Sequence, residues 1–596
     1  MVRAAEALVR HERAASTGGE EVRRVRHQGQ RDPEGLSGPR IERGTSPVLG
    51  NKAVAELLAS RGLDTVFSML GGTNVPWIGA GVASGRLRLV PTRHEATCVS
   101  AAVGYARSTG GIGLCSVSRG PGFANAVNAL IAAVRNHSPL IMVVGESPSP
   151  DSMTAQNVEQ RKFTELIGAG FHHANTIAEF ADALDAAVGA ARWNGQPQVL
   201  SMADGVLDED VADLPLVPTA GRSRGMPDDA AVETAIDLLT QARTPLILAG
   251  QGAVHADSRD ALVALAEATG ARLATSLLAV RLFSGHPQDL GLSGGWSPVA
   301  ARRALRECDL LLVFGASFNQ FTYGHGKLYR EPTVIQCDVN PDAIGETVPV
   351  DLPLIGDARV TAERLLAAWK ARRPGERTAP PSVPRDEIQA SVLAVPLGTG
   401  HGLDPREVYL ALDRVLPTER LIVTDSGRSL PTLPSLVGTR TARDFLVGRG
   451  YGSVGLGLGT ALGAAAARPD AHVVLICGDG GLMMSAQELD VVRLAGLRLT
   501  IVVMNDLQYG AEVKHLRKYG LPDTIARQTP PDLVRLAEAF DGVGSVVRTE
   551  ADLASLELCQ NGLQIVDVRI DPEVEGTLSL GTNGEQRLGE IPSLAP

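Results

Sequence analysis

The chain has 596 residues, with 56 Lys and Arg against 67 Asp and Glu, so its formal charge is 56 − 67 = −11. That balance argues against a nucleic-acid surface, which relies on clustered cations to displace counterions. No apolar run reaches the ~20 residues that span a bilayer. Six cysteines (98, 115, 308, 337, 477 and 559) lie far apart without CxxC spacing. They read as six buried thiols in a reducing cytoplasm, not as a zinc knuckle or a disulfide framework.

Residues 1–45 hold nine Arg and seven acidic residues with no apolar period, and are expected to form a disordered tail without a signal-peptide core. Regular patterning starts near Thr45. Val54, Leu57 and Leu58 share a helical face in 51–62, and Gly62 suits its end. Short apolar runs follow at Thr65–Leu70, Arg88–Pro91, Gly113–Val117, Leu140–Val144 and Gln198–Met202, separated by helical stretches. They read as strands of a doubly wound parallel sheet. The alternation restarts at Thr244–Gly250 and runs through Asp309–Gly315 and Thr333–Val339 to a helix ending near Lys370. A Pro- and Arg-rich stretch over 372–384 reads as a linker, and a third alternation begins near Asp404. The expected fold is α/β, with three doubly wound parallel-sheet domains at 46–215, 216–371 and 401–596, and a linker over 372–400.

The third unit carries the strongest chemical signal. The run His472–Cys477 ends in Gly478-Asp479-Gly480-Gly481, and Leu499–Met504 ends in Asn505-Asp506-Leu507-Gln508-Tyr509-Gly510. Between them Ser485 and Glu488 have the spacing of a capping box. If the two strands are neighbours, their carboxyl ends lie about 5 Å apart, at the edge where open α/β sheets bind ligands. Asp479 and Asp506 then converge beside glycines that let backbone N–H groups approach an anion. Oxygen ligands facing a diphosphate describe a magnesium site. In the first unit Arg93-His94-Glu95 precedes a helix of small residues, Ala96–Ala106.

These motifs resemble the thiamine-diphosphate-dependent 2-keto acid decarboxylase and carboligase family, particularly its acetolactate-synthase-like branch. The resemblance covers about 46–572 and implies a pyrimidine-binding, a central and a diphosphate-binding domain. It makes Asp479, Asp506 and the backbone oxygen of Gln508 the Mg²⁺ ligands. Asp506 stands where the family has Asn, which adds a negative charge, and Arg428 stands where the family has Gln or His, so Arg428 is expected to balance it. Gly427, Arg428, Ser429, Gly478, Gly480, Gly481, Tyr509 and Gly510 are the implied cofactor-binding positions. Glu95 matches the Glu that hydrogen-bonds the pyrimidine ring nitrogen, and Val454 matches the apolar side chain between the two rings. Gly71 and Gly72 fit a turn near the thiazolium, and Gln156 matches an active-site Gln.

Other positions mark departures. Arg119, where Ser is common, is a candidate for steering a substrate carboxylate, with an ordinary surface Arg as the alternative. His515 replaces an acceptor-pocket Trp and hints at a smaller or more polar acceptor. His94 reads as an orienting residue. Gly250-Gln251-Gly252 alone is too weak to assign a dinucleotide, whereas Asp338–Asp342 resembles a region that holds FAD in some relatives and nothing in others. The implied activity is decarboxylation of a pyruvate-like 2-keto acid with carboligation to an aldehyde or keto acid, by a cytoplasmic homodimer or homotetramer. A non-ligating decarboxylase and a non-catalytic scaffold paralogue are the alternatives. No nucleic-acid or membrane partner is expected.

Overall fold

The structure is a computed structural model and describes residues 48–146, 155–212, 214, 225–372, 375, 377–394, 401–448 and 451–574. The tail at 1–45, parts of the 372–400 stretch and the extreme C-terminus therefore lie outside the described residues. Three six-stranded sheets follow one another along the chain, every strand pair in them parallel. The first has the order Arg88–Pro91, Thr65–Ser68, Gly113–Val117, Leu140–Glu146, Gln198–Ala203, Gly170–Ala174. The second runs Asp289–Leu292, Arg272–Thr275, Pro245–Ala249, Leu310–Phe314, Thr333–Asp338, Leu352–Ile355. The third runs Phe445–Val447, Arg420–Thr424, His472–Gly478, Arg498–Asn505, Gly562–Arg569, Val543–Val547. Central strands such as Leu310–Phe314 are buried along their whole length, as parallel strands covered on both faces must be. A two-stranded antiparallel ribbon, Val48–Leu49 with Asp210–Val211, closes the first unit.

In each sheet the chain lays its first strand second or third from one edge, builds outward, then returns to the other side. The reversal falls between Thr65–Ser68 and Gly113–Val117, between Pro245–Ala249 and Leu310–Phe314, and between Arg420–Thr424 and His472–Gly478. Such switch points open a crevice beyond the strands' carboxyl ends. Each of the glycine-rich segments read from the sequence sits at one of them.

The first and third units share a single apolar core, which runs from Phe67 and Val117 through to Leu421, Val473 and Leu499. Its centre is the contact between the helices Glu95–Thr109 and Gly457–Ala467. Small residues let the two backbones touch: a Cβ on Gly463 would lie 1.8 Å from the Ala101 carbonyl oxygen, and one on Gly104 would lie 2.0 Å from that of Thr460. Gly463→Ala is therefore expected to destabilise the protein by about 1–3 kcal/mol through overpacking. An unchanged denaturation midpoint would argue against this helix contact.

Several details differ from the sequence reading. The strands Gly170–Ala174, Arg272–Thr275, Asp289–Leu292 and Leu352–Ile355 were not expected, and within 372–400 residues Arg385–Leu393 form a helix. The capping box at Ser485 and Glu488 does not form: the Ser485 side chain makes no cap bond, and Glu488 turns elsewhere. Five of the cysteines are buried, but Cys559 is only partly so.

Candidate active site

At the switch point of the first sheet, the turn after Ser68 and the turn after Val117 meet. A Cβ on Gly71 would lie 2.9 Å from the Ser118 Cβ, while one on Gly72 would meet no protein atom within 4 Å. Gly122 packs on Ser118 and on Glu95, whose Oε1 lies 3.4 Å from where its Cβ would be. Glu95 opens its helix, and His94 caps it through Nδ1, which accepts the Ala96 N–H at 3.1 Å. The Asn125 amide donates to Glu95 Oε2 at 3.0 Å, so the carboxylate is held but keeps one oxygen for a ligand. The Gln156 carbonyl abuts Gly120, where a Cβ would come within 2.2 Å, which brings the 156 region to the same turn. Arg119 does not face an empty site: its Nη1 pairs with Asp204 at 2.7 Å, so its charge is already balanced.

The carboxyl edge of the third sheet brings together more of the expected residues. The strands His472–Gly478 and Arg498–Asn505 pair directly, with Gly478 opposite Met504, so Asp479 and Asp506 leave adjacent strand ends. Asp479 is 3 % exposed and its Oδ2 has no hydrogen-bond partner. Burial, and then the charge of Asp506, push its carboxyl up to about 7. Burial also raises Asp506, against the pull of Arg428, whose Nη1 lies 2.5 Å from Asp506 Oδ2 and whose Nη2 donates to the Val574 carbonyl at 2.7 Å. Between the two implied ligands Leu507 adopts φ +57°, a left-handed turn that costs energy in a residue with a Cβ. The flanking residues make the bonds of the bridge to Arg527 (Tyr509 N–H to Ala526, Gln528 N–H to Leu507), and that bridge leaves the Gln508 carbonyl unused. Two carboxylates and a carbonyl, one oxygen buried and orphaned, are a donor set that fits a hard divalent cation such as Mg²⁺.

Glycines line the rest of this crevice. The Tyr509 ring covers Gly480, where a Cβ would sit 2.5 Å from the ring, and Gly510 lies against Arg428 and Asp506. Gly427 has φ +143°, and Ser429 hydrogen-bonds the buried Tyr409 phenol. Val454 packs beside Gly481, its Cγ1 3.2 Å from where a Cβ would be. His515 lies on the helix Gly510–Lys518, partly exposed.

Two functional positions escaped the sequence reading. Asp425, at the end of the Arg420–Thr424 strand, is buried and accepts N–H bonds from Gly455 (2.7 Å), Ser426 (2.8 Å) and Gly457 (3.2 Å). It fixes the loop on either side of Val454, and burial pushes its carboxyl up to about 6. Glu488 is wholly buried. One oxygen accepts the Arg93 N–H at 3.0 Å and the other has no partner. With the Arg93–Asp490 ion pair, it ties the Arg93-His94-Glu95 segment to the third unit. Burial raises Glu488 to about 7 from an ordinary 4.5. The folded protein thus holds this proton where the unfolded chain has lost it, so its contribution to stability falls as pH rises from about 4.5 to about 7. Ligand-free Glu488→Gln is expected to show a flatter decline of thermal midpoint across that window than the unmodified protein, and equal slopes would contradict the burial described.

At the central sheet's switch point, Gly250 and Gly252 pack against Gly315, which accounts for the two glycines. Beyond them Asp338 and Asn340 line a cavity of about 1110 Å³ between the first and central units.

Comparison with known proteins agrees with this layout. Residues 49–167 match the N-terminal TPP binding domain of thiamine pyrophosphate enzymes, 232–365 match the central domain, and 425–564 match the C-terminal TPP binding domain. The chain is 28% identical over 537 residues to an acetolactate synthase large subunit of Parasynechococcus marenigrum, covering 86% of this chain and 85% of that one. It is 29% identical over 475 residues to an acetolactate synthase large subunit of Corynebacterium glutamicum (77% and 75% covered). A sulfoacetaldehyde acetyltransferase of Rhodobacter capsulatus is 28% identical over 492 residues (78% and 83% covered).

Proposed function

Because the chain belongs to the thiamine pyrophosphate enzyme family, in its acetolactate-synthase-like branch, we propose that it decarboxylates a pyruvate-like 2-keto acid. The remaining acyl unit is ligated to an aldehyde or a second keto acid. The observation that supports this reading is that Asp479 and Asp506 leave the carboxyl ends of adjacent strands, with a buried Asp479 oxygen left unpaired. Thiamine diphosphate, when bound, supplies an electron sink for the carbon that loses CO₂.

The chain's own residues supply the rest. Asp479, Asp506 and Gln508 would hold Mg²⁺, and the N–H groups around Gly478, Gly480 and Gly481 would face the diphosphate with Gly427, Arg428 and Ser429. Tyr509 and Gly510 close that end. Val454, fixed by Asp425, would separate the two rings. Glu95 would hold a proton at the pyrimidine nitrogen, Gly72 would leave space for the substrate, and Gln156 would serve the same side of the site. Arg119, neutralised by Asp204, contributes little to carboxylate steering, so the acceptor side falls to residues near His515.

Large apolar side chains stand exposed around both half-sites: Met69 and Leu70 in the first unit, Val454, Met483, Met484 and Tyr509 in the third, each 38–53% exposed. They support a homodimer or homotetramer in which a second copy covers them. The cavity beside Asp338 has room for a nucleotide such as FAD. Free cysteines suit the reducing cytoplasm, and among the described residues no helix is long and apolar enough to cross a membrane.

The test is to supply the purified chain with Mg²⁺, thiamine diphosphate and pyruvate, with and without an aldehyde. CO₂ release that needs both cofactors, and a carbon–carbon-linked product, are expected. Bound cofactor without turnover of any 2-keto acid would favour a scaffold, and CO₂ with only a protonated product a simple decarboxylase. The Arg428–Asp506 pair makes a sharper demand. Arg428→Gln is expected to weaken thiamine diphosphate binding by roughly 10- to 100-fold, as loss of a charge-assisted bond does. Adding Asp506→Asn should restore most of it, because the pair is charge-neutral together. Additive losses in a titration of cofactor binding would contradict that pairing.

A further inference from the structure

We propose that Asp567, which lies outside the motifs read from the sequence, is a positioning residue for the metal-binding turn: through Asn505 it holds Leu507 left-handed and so fixes Asp506 and Gln508 relative to each other. This role rests on the reading of Asp479, Asp506 and Gln508 as the Mg²⁺ ligands. Leu507 separates two of them at φ +57° and is 42% exposed, so packing does little to hold it there. Such a conformation on a residue with a Cβ persists only where neighbouring bonds over-determine it. Both backbone groups of Leu507 are committed. Its carbonyl accepts the Gln528 N–H at 2.7 Å, and its N–H donates to Asn505 Oδ1 at 3.2 Å.

The bond from Leu507 depends on which way the Asn505 amide points, and Asp567 decides that. Asn505 is buried, and its Nδ2 donates to Asp567 Oδ1 at 2.8 Å on the neighbouring strand Gly562–Arg569. A carboxylate only accepts, so an Asn505 amide turned over would set its oxygen against Asp567 and its NH₂ against the Leu507 N–H. The second Asp567 oxygen accepts from Arg569 Nη2 at 2.6 Å, which gives this buried charge a counter-ion. The two strands are already paired through their backbones from Arg498 opposite Gly562 to Asn505 opposite Arg569, so the side-chain bond is not needed to join them. What it adds is orientation at the point where the strand ends and the ligands begin. Burial, and then the charges of Asp506 and Asp567, raise the Asp479 carboxyl, so Asp567 also lies within electrostatic reach of the ligands.

Calorimetric titration of Mg²⁺ into the full chain, with thiamine diphosphate present, tests this in Asp567→Asn, Leu507→Gly and the double variant. Asp567→Asn preserves volume, but its amide offers one acceptor oxygen between two donors, so either Asn505 or Arg569 loses its bond. The Mg²⁺ affinity is expected to fall roughly 10- to 100-fold, as it does when a group that orients a metal ligand is lost. Leu507→Gly takes φ +57° without strain and frees the turn from its dependence on Asn505. In that background the same Asp567→Asn change is expected to cost less than about threefold. A purely structural role would lower the thermal midpoint of both Asp567→Asn proteins alike and give no such recovery. If Asp567→Asn does not fold, Arg569→Gln, at the partly exposed end of the same series of bonds, should give a smaller loss in the same direction. Mg²⁺ binding that is equal in the unmodified protein and in the variant that folds overturns the positioning role alone, as does a loss that Leu507→Gly leaves unchanged. No Mg²⁺ binding by the unmodified protein overturns the reading of the metal site, and the positioning role with it.

Discussion

Replacing Glu95 by glutamine is expected to lower thiamine-dependent turnover by roughly 10²- to 10⁴-fold, the usual contribution of a positioned acid–base group. The amide keeps the shape of the side chain and can still accept the Asn125 N–H that holds Glu95 at 3.0 Å. What it loses is the capacity to hold and release a proton at the pyrimidine nitrogen. Cofactor binding should change little, because the diphosphate end is anchored in the third unit. Steady-state rates at saturating cofactor give the answer. A loss of less than about tenfold would fall short of acid–base catalysis and would remove Glu95 from the chemistry.

Removing the Asp479 carboxylate by alanine is expected to have the largest effect on binding. Partners one shell out from a metal already cost 10- to 100-fold, so loss of a ligand should weaken Mg²⁺-dependent cofactor binding by more than about 100-fold. Because burial and Asp506 raise the Asp479 carboxyl to about 7, a metal must displace its proton at lower pH. The apparent Mg²⁺ affinity should therefore fall as pH drops below about 7, and Asp479→Asn should bind weakly with little pH dependence. Calorimetric titration of Mg²⁺ with the diphosphate present measures both, and a pH-independent affinity in the unmodified protein would contradict the assignment.

The legible parts of this protein are those in which one stretch of chain contains both partners of an interaction. Asp479 and Asp506 end consecutive strands joined by a single crossover, so their convergence follows from the connection alone. The Glu95 helix likewise announces itself by its small residues. Asp425 is not legible because the N–H groups that donate to it, those of Gly455 and Gly457, come 30 and 32 residues later and meet it only across the finished sheet. Glu488 was misread for the same reason. Its spacing from Ser485 imitates a local cap, whereas its bond goes to Arg93, 395 residues away. The missed strand Gly170–Ala174 carries two histidines at a sheet edge, where partial exposure removes the apolar run that marks central strands. The resemblance puts Arg428 at the diphosphate and its charge makes it a partner for Asp506, and the ion pair gives that expectation a geometry.

The most direct measurement is exchange of the cofactor's thiazolium ring proton for deuterium, followed by NMR after rapid quenching, in the unmodified chain and in Glu95→Ala. Fast exchange with Glu95 present, falling by roughly two orders of magnitude or more without it, is the predicted result. Equal rates, with cofactor bound in both, would contradict the account.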